Sequence, residues 1–156
     1  MAPEKLEALR ALAPRLEDAC AEIASLGIRD ALEHGDAWPG NIWAREDGSF
    51  LVYDWSDASL AHPFTSVIER DLRERLEFGE DDVRRLVDAY LAPWLDLAPE
   101  GEVRRAYQLA QVLAQLHRAV SYYRLIMPMA EDRAMWGPAG AYHLSQVLEG
   151  ASLLDG

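Results

Sequence analysis

One stretch of this sequence, residues 41–55, interrupts an otherwise helical pattern with two short β-prone runs. The run Ile-Trp-Ala at 42–44 and the run Phe-Leu-Val-Tyr at 50–53 flank a polar segment that contains Asp47 and Gly48. An Asp-Gly pair between two such runs is typical of a β-hairpin, because glycine accepts the positive φ of a tight turn. The sequence therefore predicts a small hairpin inserted near the front of a helical domain.

Apolar residues elsewhere in the chain recur at helical spacing. They predict a helical lead-in over residues 1–30, which Pro14 interrupts and Gly27 ends, and a helical subdomain over residues 63–150. The longest helix of the subdomain is expected from about Glu102 towards Pro128. We expect an α+β, mainly helical fold in a single domain spanning 1–156.

Individual side chains carry further predictions. Cys20 lies on the apolar side of the first helical pattern, which predicts a buried, inert thiol. Ser66 and Glu69 have the spacing of a capping box. His117 and His143 fall on or beside apolar helix faces, where a hydrogen-bonded core histidine is commoner than a ligand.

The charge of the chain limits its partners. A formal net charge of -12 argues against a nucleic-acid surface, because phosphate binding needs clustered Lys and Arg. It would suit a cationic ligand, and solubility alone explains it equally well. No stretch approaches the ~20 apolar residues of a membrane span, and the N-terminus lacks the order of a signal peptide, so we expect a cytoplasmic protein without a membrane partner.

The chemistry-bearing residues lie in the segment 32–57, a loop followed by the hairpin. Asp36 precedes Asn41 by five positions, and Asp54 follows beyond the hairpin. Phosphoryl transfer needs a carboxylate that accepts the hydroxyl proton, an amide that holds Mg²⁺ and a second carboxylate for the same metal. This order predicts Asp36 as the catalytic base and Asn41 and Asp54 as magnesium ligands, with His34 orienting the loop through a hydrogen bond.

Other interpretations of these residues stay open. An Asp, an Asn and a strand-end Asp are each common in turns. A non-catalytic module that binds a ligand or another protein would be compatible with the same helical domain. A metal-dependent hydrolase that uses Asp36, Asp54 and His34 is the third alternative.

The segments HGDAWPGN and YDW resemble the catalytic loop and the metal-binding motif of the aminoglycoside phosphotransferase and choline kinase group. The segments DWSDASLAHPF and LHRAVSYYRL extend the similarity over most of the chain. The resemblance implies the C-terminal lobe of a protein-kinase-like fold, and an enzyme that transfers phosphate from ATP, with Mg²⁺, to a hydroxyl of a small molecule. It implies for Asp36, Asn41 and Asp54 the roles given above. Trp38 departs from the pattern, because many relatives have a second histidine there.

The family also has an N-terminal nucleotide lobe with a phosphate-covering loop and a strand lysine. Only some thirty residues precede His34 here, they have a helical pattern, and the sole lysine is Lys5. We therefore expect a truncated form, a fragment or half of a split enzyme, with little activity alone. Exposed tryptophans around the loop, Trp38, Trp43 and Trp55, predict a homo-oligomer or a separate N-lobe partner.

Overall fold

The computed structural model describes residues 1–155. Its helices are α1 (Pro3–Ser25), α2 (Glu69–Leu76), α3 (Glu80–Leu91), α4 (Glu100–Ser121), α5 (Met127–Met129) and α6 (Arg133–Glu149). Short 3₁₀ turns occupy Pro39–Asn41, Trp55–Asp57, Pro63–Thr65, Ala92–Asp96 and Ala151–Leu154, and a π turn, Tyr122–Ile126, continues α4. The mainly helical α+β class is confirmed.

Four strands form two small antiparallel sheets. Strands β2 (Ile42–Ala44) and β3 (Phe50–Val52) pair as the expected hairpin, with Ile42 opposite Val52. Strands β1 (Ala31–Glu33) and β4 (Ser59–Ala61) pair with Glu33 opposite Ser59, a ladder that the sequence did not predict. This second ladder joins the chain before the loop to the chain after the hairpin, so it closes residues 34–58 into one compact unit.

The hydrophobic core lies around α4, which packs against α1, α6 and the Pro63–Thr65 turn. Phe64 is fully buried there, and its ring makes edge contacts with Tyr90, Trp94 and Tyr107. Burying such an aromatic side chain stabilises a fold by about 1.5–3 kcal/mol. Because Phe64 follows β4 closely, this contact fixes the loop and hairpin unit on the helical core.

Helix α1 corrects the interpretation of the N-terminal segment. It is one continuous helix with Pro14 inside it, and its buried residues are Leu12, Leu16, Ala19 and Ile23. The prediction of a buried Cys20 is wrong, because the buried stripe of α1 is narrow and Cys20 lies on its exposed flank.

The capping box at Ser66 and Glu69 is also wrong. The Ser66 hydroxyl donates instead to the Glu33 carboxylate, and α2 begins without a side-chain cap. The backbone N–H of Glu69 donates to Oε1 of Gln111 on α4 at 2.9 Å. A long-range contact therefore replaces the local one at the start of α2.

The two helix histidines differ from each other. His143 is buried, and its Nδ1 lies 2.7 Å from Oε1 of Gln115, so the expected core histidine is found at this position. The same expectation is wrong for His117, which is exposed because the buried face of α4 turns away from it near the C-terminal end of the helix. Within residues 1–155, no helix combines the length and the apolar character that crossing a membrane requires.

Candidate functional site: a catalytic-type loop beside a cleft

Asp36 and Asn41 contact each other across the loop. The Asn41 side-chain amide donates one hydrogen bond to the backbone carbonyl of Asp36 at 2.9 Å and another to Asp36 Oδ2 at 3.0 Å. Asn41 is buried, whereas Asp36 is only partly covered. The buried amide thus fixes both the backbone and the carboxylate of Asp36, and its own Oδ1 remains available.

His34 is buried and uses both ring nitrogens on the backbone. Its Nε2 lies 2.8 Å from the carbonyl oxygen of Tyr53, and its Nδ1 accepts the N–H of Asp36 at 3.3 Å. One neutral tautomer, with the proton on Nε2, satisfies both contacts. His34 therefore connects the loop to the end of the hairpin, which is the orienting contact expected from the sequence.

Tyr53 also closes the loop from the hairpin side. Its backbone N–H donates to the carbonyl of Asn41 at 3.0 Å, and its hydroxyl donates to the carbonyl of Gly40. Together with the His34 contact, Tyr53 makes three hydrogen bonds to the loop. Asp54, the next residue in the chain, therefore directly follows a residue that contacts both His34 and Asn41.

Gly35 packs against the segment that follows the hairpin. It has φ +79, and a Cβ atom there would lie 2.3 Å from the carbonyl oxygen of Asp57. No side chain fits so close to a backbone atom, and L-residues rarely adopt this φ. Glycine at position 35 thus permits the approach of the Asp36 loop to the Trp55–Asp57 turn.

Asp54 begins that turn in the left-handed conformation, with φ 61 and ψ 63. Its carboxylate is exposed, and Oδ1 accepts the Ser56 hydroxyl at 2.9 Å. No hydrogen bond joins Asp54 to Asp36 or Asn41 within residues 1–155. The structure thus brings His34, Asp36 and Asn41 into direct contact and places Asp54 next to them through the backbone of Tyr53.

Asp36 lines a cleft of about 940 Å³ between the loop and the helices. Acidic side chains border it on the loop side and on α2: Glu33, Asp36, Asp57 and Asp71. Aromatic side chains after α4 and on α6 also border it: Tyr122, Trp136, Tyr142 and His143. The Tyr122 ring stacks on His143 at 5.5 Å and lies 6.2 Å from Trp136, so these side chains form one wall. Neither Asn41 nor Asp54 lines this cleft.

Burial changes the acidity of groups in the cleft. It raises the pKa of Glu33, against the opposing effects of the Ser66 hydroxyl and of His34. It also raises the pKa of Asp71, against the opposing charges of Arg118 and Arg75. The pKa of His143 falls to about 4, first through burial and then through Arg118 and Arg75. His143 is therefore neutral near pH 7.

Several cleft residues could not be identified as site residues from the sequence. Asp71 and Arg118 lie on different helices, α2 and α4, and no short motif relates them. The only signal was polarity at positions near apolar helix faces. Tyr122 and Trp136 line the cleft as well.

The oxygen donors of the loop fit magnesium chemically. Mg²⁺ commonly takes one or two protein side-chain oxygens and completes its shell with water and substrate phosphates. Asn41 Oδ1 and the exposed carboxylate of Asp54 are donors of this type. Residues 1–155 contain no group of three or more His, Cys, Asp or Glu side chains arranged to hold a metal. Asn41 and Asp54 thus offer two oxygens of the kind that Mg²⁺ takes from a protein.

No protein-family model, curated protein or solved structure matches this chain.

Proposed function

We propose that this chain is the catalytic-loop part of a cytoplasmic, ATP-dependent phosphotransferase of the aminoglycoside phosphotransferase type, acting on a hydroxyl group of a small molecule. One observation carries the proposal: Asn41 fixes Asp36 at the edge of a ligand-sized cleft. Asp36 would accept the hydroxyl proton, His34 would orient the loop, and Asn41 and Asp54 would hold Mg²⁺.

The surroundings of Asp36 suit a general base. Such a group must lie within hydrogen-bond reach of the acceptor hydroxyl, and a fixed orientation lowers the entropy lost in reaching the transition state. Oδ2 of Asp36 already accepts the Asn41 amide. Oδ1 accepts no hydrogen bond from residues 1–155, which leaves it for a hydroxyl in the cleft.

Magnesium would be held by Asn41 and Asp54. The Asn41 nitrogen is occupied by Asp36, so its oxygen is the atom left for a cation. A bound Mg²⁺ supplies charge neutralisation at the phosphoryl group during transfer. Asn41 would thus serve both the base and the metal.

Nucleotide binding would depend on a part that residues 1–155 do not provide. Lys5 lies at the start of α1, and its Nζ donates to Ser145 of α6 at 3.4 Å, away from the loop. Phosphoryl transfer relies on positioning and charge stabilisation, so the loop alone would bind ATP poorly. We expect little activity from the isolated chain.

The hairpin carries an exposed apolar surface that a nucleotide-binding part would cover. Trp43 and Leu51 lie opposite each other on one face of the hairpin and are 65% and 45% exposed, and Trp38 and Trp55 are 38% and 47% exposed. Exposed apolar patches of this kind are typical of interaction surfaces. A separate nucleotide-binding polypeptide, or a second copy of the chain, would cover it.

A non-catalytic ligand-binding module is the second candidate, because the cleft has acidic and aromatic walls without any contribution from a nucleotide lobe. A metal-dependent hydrolase is disfavoured, because both ring nitrogens of His34 already contact the backbone and neither is left for a metal.

The test uses Mn²⁺ as a paramagnetic substitute for Mg²⁺, since both prefer oxygen ligands. Amide NMR signals of the loop and of residues around Asp54 should broaden on titration of the chain with Mn²⁺. Asp54→Asn should remove the effect, and Glu46→Gln, at an exposed position in the hairpin turn, should retain it. Equal broadening in Asp54→Asn, or none in the unmodified chain, would exclude the proposed metal site.

A further inference from the structure

Arg118 is a half-buried arginine that lines the cleft from α4. Eight other arginines form ion pairs. Arg118 makes no ion pair and no side-chain hydrogen bond with residues 1–155, and the other arginines without an ion pair are exposed. A guanidinium carries five N–H donors, and no nitrogen of Arg118 is both buried and without a partner. The unused donors of Arg118 therefore face a space that a ligand can enter.

A second guanidinium lies in this region. Arg75 also lines the cleft, and its guanidinium carbon lies 5.0 Å above the ring centre of Trp38. Both arginines contribute, after burial, to the low pKa of His143. Asp71 offsets part of this charge but lies beyond ion-pair distance of either arginine. The donors of Arg118 and Arg75 thus remain open to an external anion.

The residues around Arg118 indicate what the rest of an anionic ligand would look like. Tyr122, one turn further along, begins the aromatic wall that Trp136 continues. Asp36 lies on the loop side of the same cleft. A molecule in the cleft would contact the N–H donors of the arginines, which bind an oxyanion. It would also contact an apolar wall and the Asp36 carboxylate, which can accept a hydrogen bond from a hydroxyl group.

We propose that Arg118, supported by Arg75, is an oxyanion subsite, and that the small molecule bound in this cleft carries a carboxylate or phosphate as well as a hydroxyl group. Guanidinium groups bind both oxyanions through paired N–H···O contacts. The identification of the bound molecule as the phosphate acceptor rests on the proposed function, whereas the binding of the oxyanion does not. The acidic charge of the whole chain alone would have favoured a cationic ligand.

The probe is 3-phenyllactate, which has a hydroxyl, a carboxylate and an aromatic ring, compared with its methyl ester, which lacks only the charge. Binding to the full chain is followed by amide NMR titration without ATP or metal. We expect the acid to bind at least ten-fold more tightly than the ester. Arg118→Gln should abolish this preference. Arg118→Lys keeps the positive charge but loses the paired N–H donors of the guanidinium, so it should retain part of the preference.

Arg124→Gln is the matched control, because Arg124 is an exposed arginine on the following turn and does not line the cleft. It should bind like the unmodified chain. Thermal unfolding checks that each variant folds. If Arg118→Gln does not fold, Arg118→Lys still tests the subsite. Competition by inorganic phosphate that depends on Arg118 would support the subsite and assign it to phosphate monoesters as well.

Equal affinity for acid and ester, or an unchanged preference in both Arg118 variants, would overturn the subsite. So would choline binding more tightly than phenyllactate in a manner independent of Arg118. A chain that prefers the acid through Arg118 but shows no Mn²⁺ effect at Asp54 would retain the subsite and lose the phosphotransferase proposal.

Discussion

Gly35 and Asp57 approach each other so closely that a Cβ atom on residue 35 would lie 2.3 Å from the Asp57 carbonyl oxygen. The contact joins the loop that carries Asp36 to the turn after the hairpin. Gly48, in the hairpin turn, has a similar φ of +81 but no atom within 4 Å of its ideal Cβ position. Substituting the two glycines in turn therefore distinguishes the free-energy cost of a positive φ from the additional cost of a steric clash.

Gly35→Ala should therefore destabilise the fold more than Gly48→Ala. Both variants place alanine at positive φ, which costs roughly 1–2 kcal/mol. Only Gly35→Ala adds a clash with the backbone, which costs about 1–3 kcal/mol more. Urea unfolding followed by circular dichroism measures both. Equal losses of unfolding free energy would contradict the close approach at Asp57.

Asn41→Ala should lower the free energy of unfolding by about 1–3 kcal/mol, because it leaves the Asp36 carbonyl and carboxylate without their buried amide partner. Ser49→Ala is the control, since Ser49 makes its hydrogen bonds in an exposed turn and its loss should cost under about 0.5 kcal/mol. The same urea titrations compare them. A loss at Asn41 no larger than at Ser49 would mean that the amide does not hold the loop.

Local patterns in the sequence predicted the elements that depend on nearby residues. The hairpin followed from Asp47 and Gly48, and the helices followed from apolar spacing. The pairing of β1 with β4 was missed because three-residue strands carry almost no periodic signal and their pairing depends on contacts distant in the chain. Cys20 was misplaced because spacing shows which side of a helix is apolar but not how wide the buried stripe is.

The candidate site was predictable in part for the same reason. His34, Asp36 and Asn41 lie within one short segment, and the structure brings them into contact. Their catalytic and metal-binding roles remain predictions. Arg118 reaches the cleft from another helix, so only the folded chain identifies it. Ser66 contacts Glu33 instead of capping α2, because burial makes a partner for that carboxylate worth more than a local cap.

Asp54→Asn should leave stability within about 0.5 kcal/mol of the original, because Asp54 is exposed and asparagine tolerates its left-handed conformation. It should nevertheless weaken Mg²⁺ binding to the chain at least ten-fold, since one of the two proposed ligands loses its charge. Isothermal titration calorimetry measures the affinity, and Glu46→Gln should behave like the original chain. Unchanged Mg²⁺ affinity would remove Asp54 from the site.

The exposed hairpin should make the chain associate at micromolar concentrations or bind a nucleotide-lobe polypeptide. Trp43→Ser combined with Leu51→Ser should reduce this association, because these two exposed apolar side chains lie opposite each other on the same face of the hairpin. Leu97→Ser is the control, since Leu97 is 71% exposed but lies on the turn after α3. Sedimentation velocity over a concentration series gives the mass. Association that is equally sensitive to Leu97→Ser would argue against the hairpin as the interface.

The stability of the chain should fall as the pH is lowered from about 6.5, and His143 should be one cause. Burial and the nearby arginines lower the pKa of His143 in the folded chain from 6.5 to about 4. The unfolded chain therefore takes up this proton first, so stability that is present above pH 6.5 is lost as the pH falls towards 4. One such proton changes the free energy of unfolding by up to about 1.4 kcal/mol per pH unit.

His143→Gln should weaken this dependence between pH 7 and 5, even if losing the contact with Gln115 lowers stability at every pH. His117→Gln is the matched control, because it removes an exposed histidine from the neighbouring helix and keeps His143. Urea unfolding at half-unit pH steps gives the three slopes. The window ends at pH 5 because ordinary carboxyl groups titrate below it. Burial raises the pKa of Glu33 and of Asp71, and both residues are present in all three chains, so their contribution is shared by the three slopes. If His143→Gln and the original chain lose stability in parallel over this window, the neutral, buried state of His143 is not what makes the fold sensitive to acid.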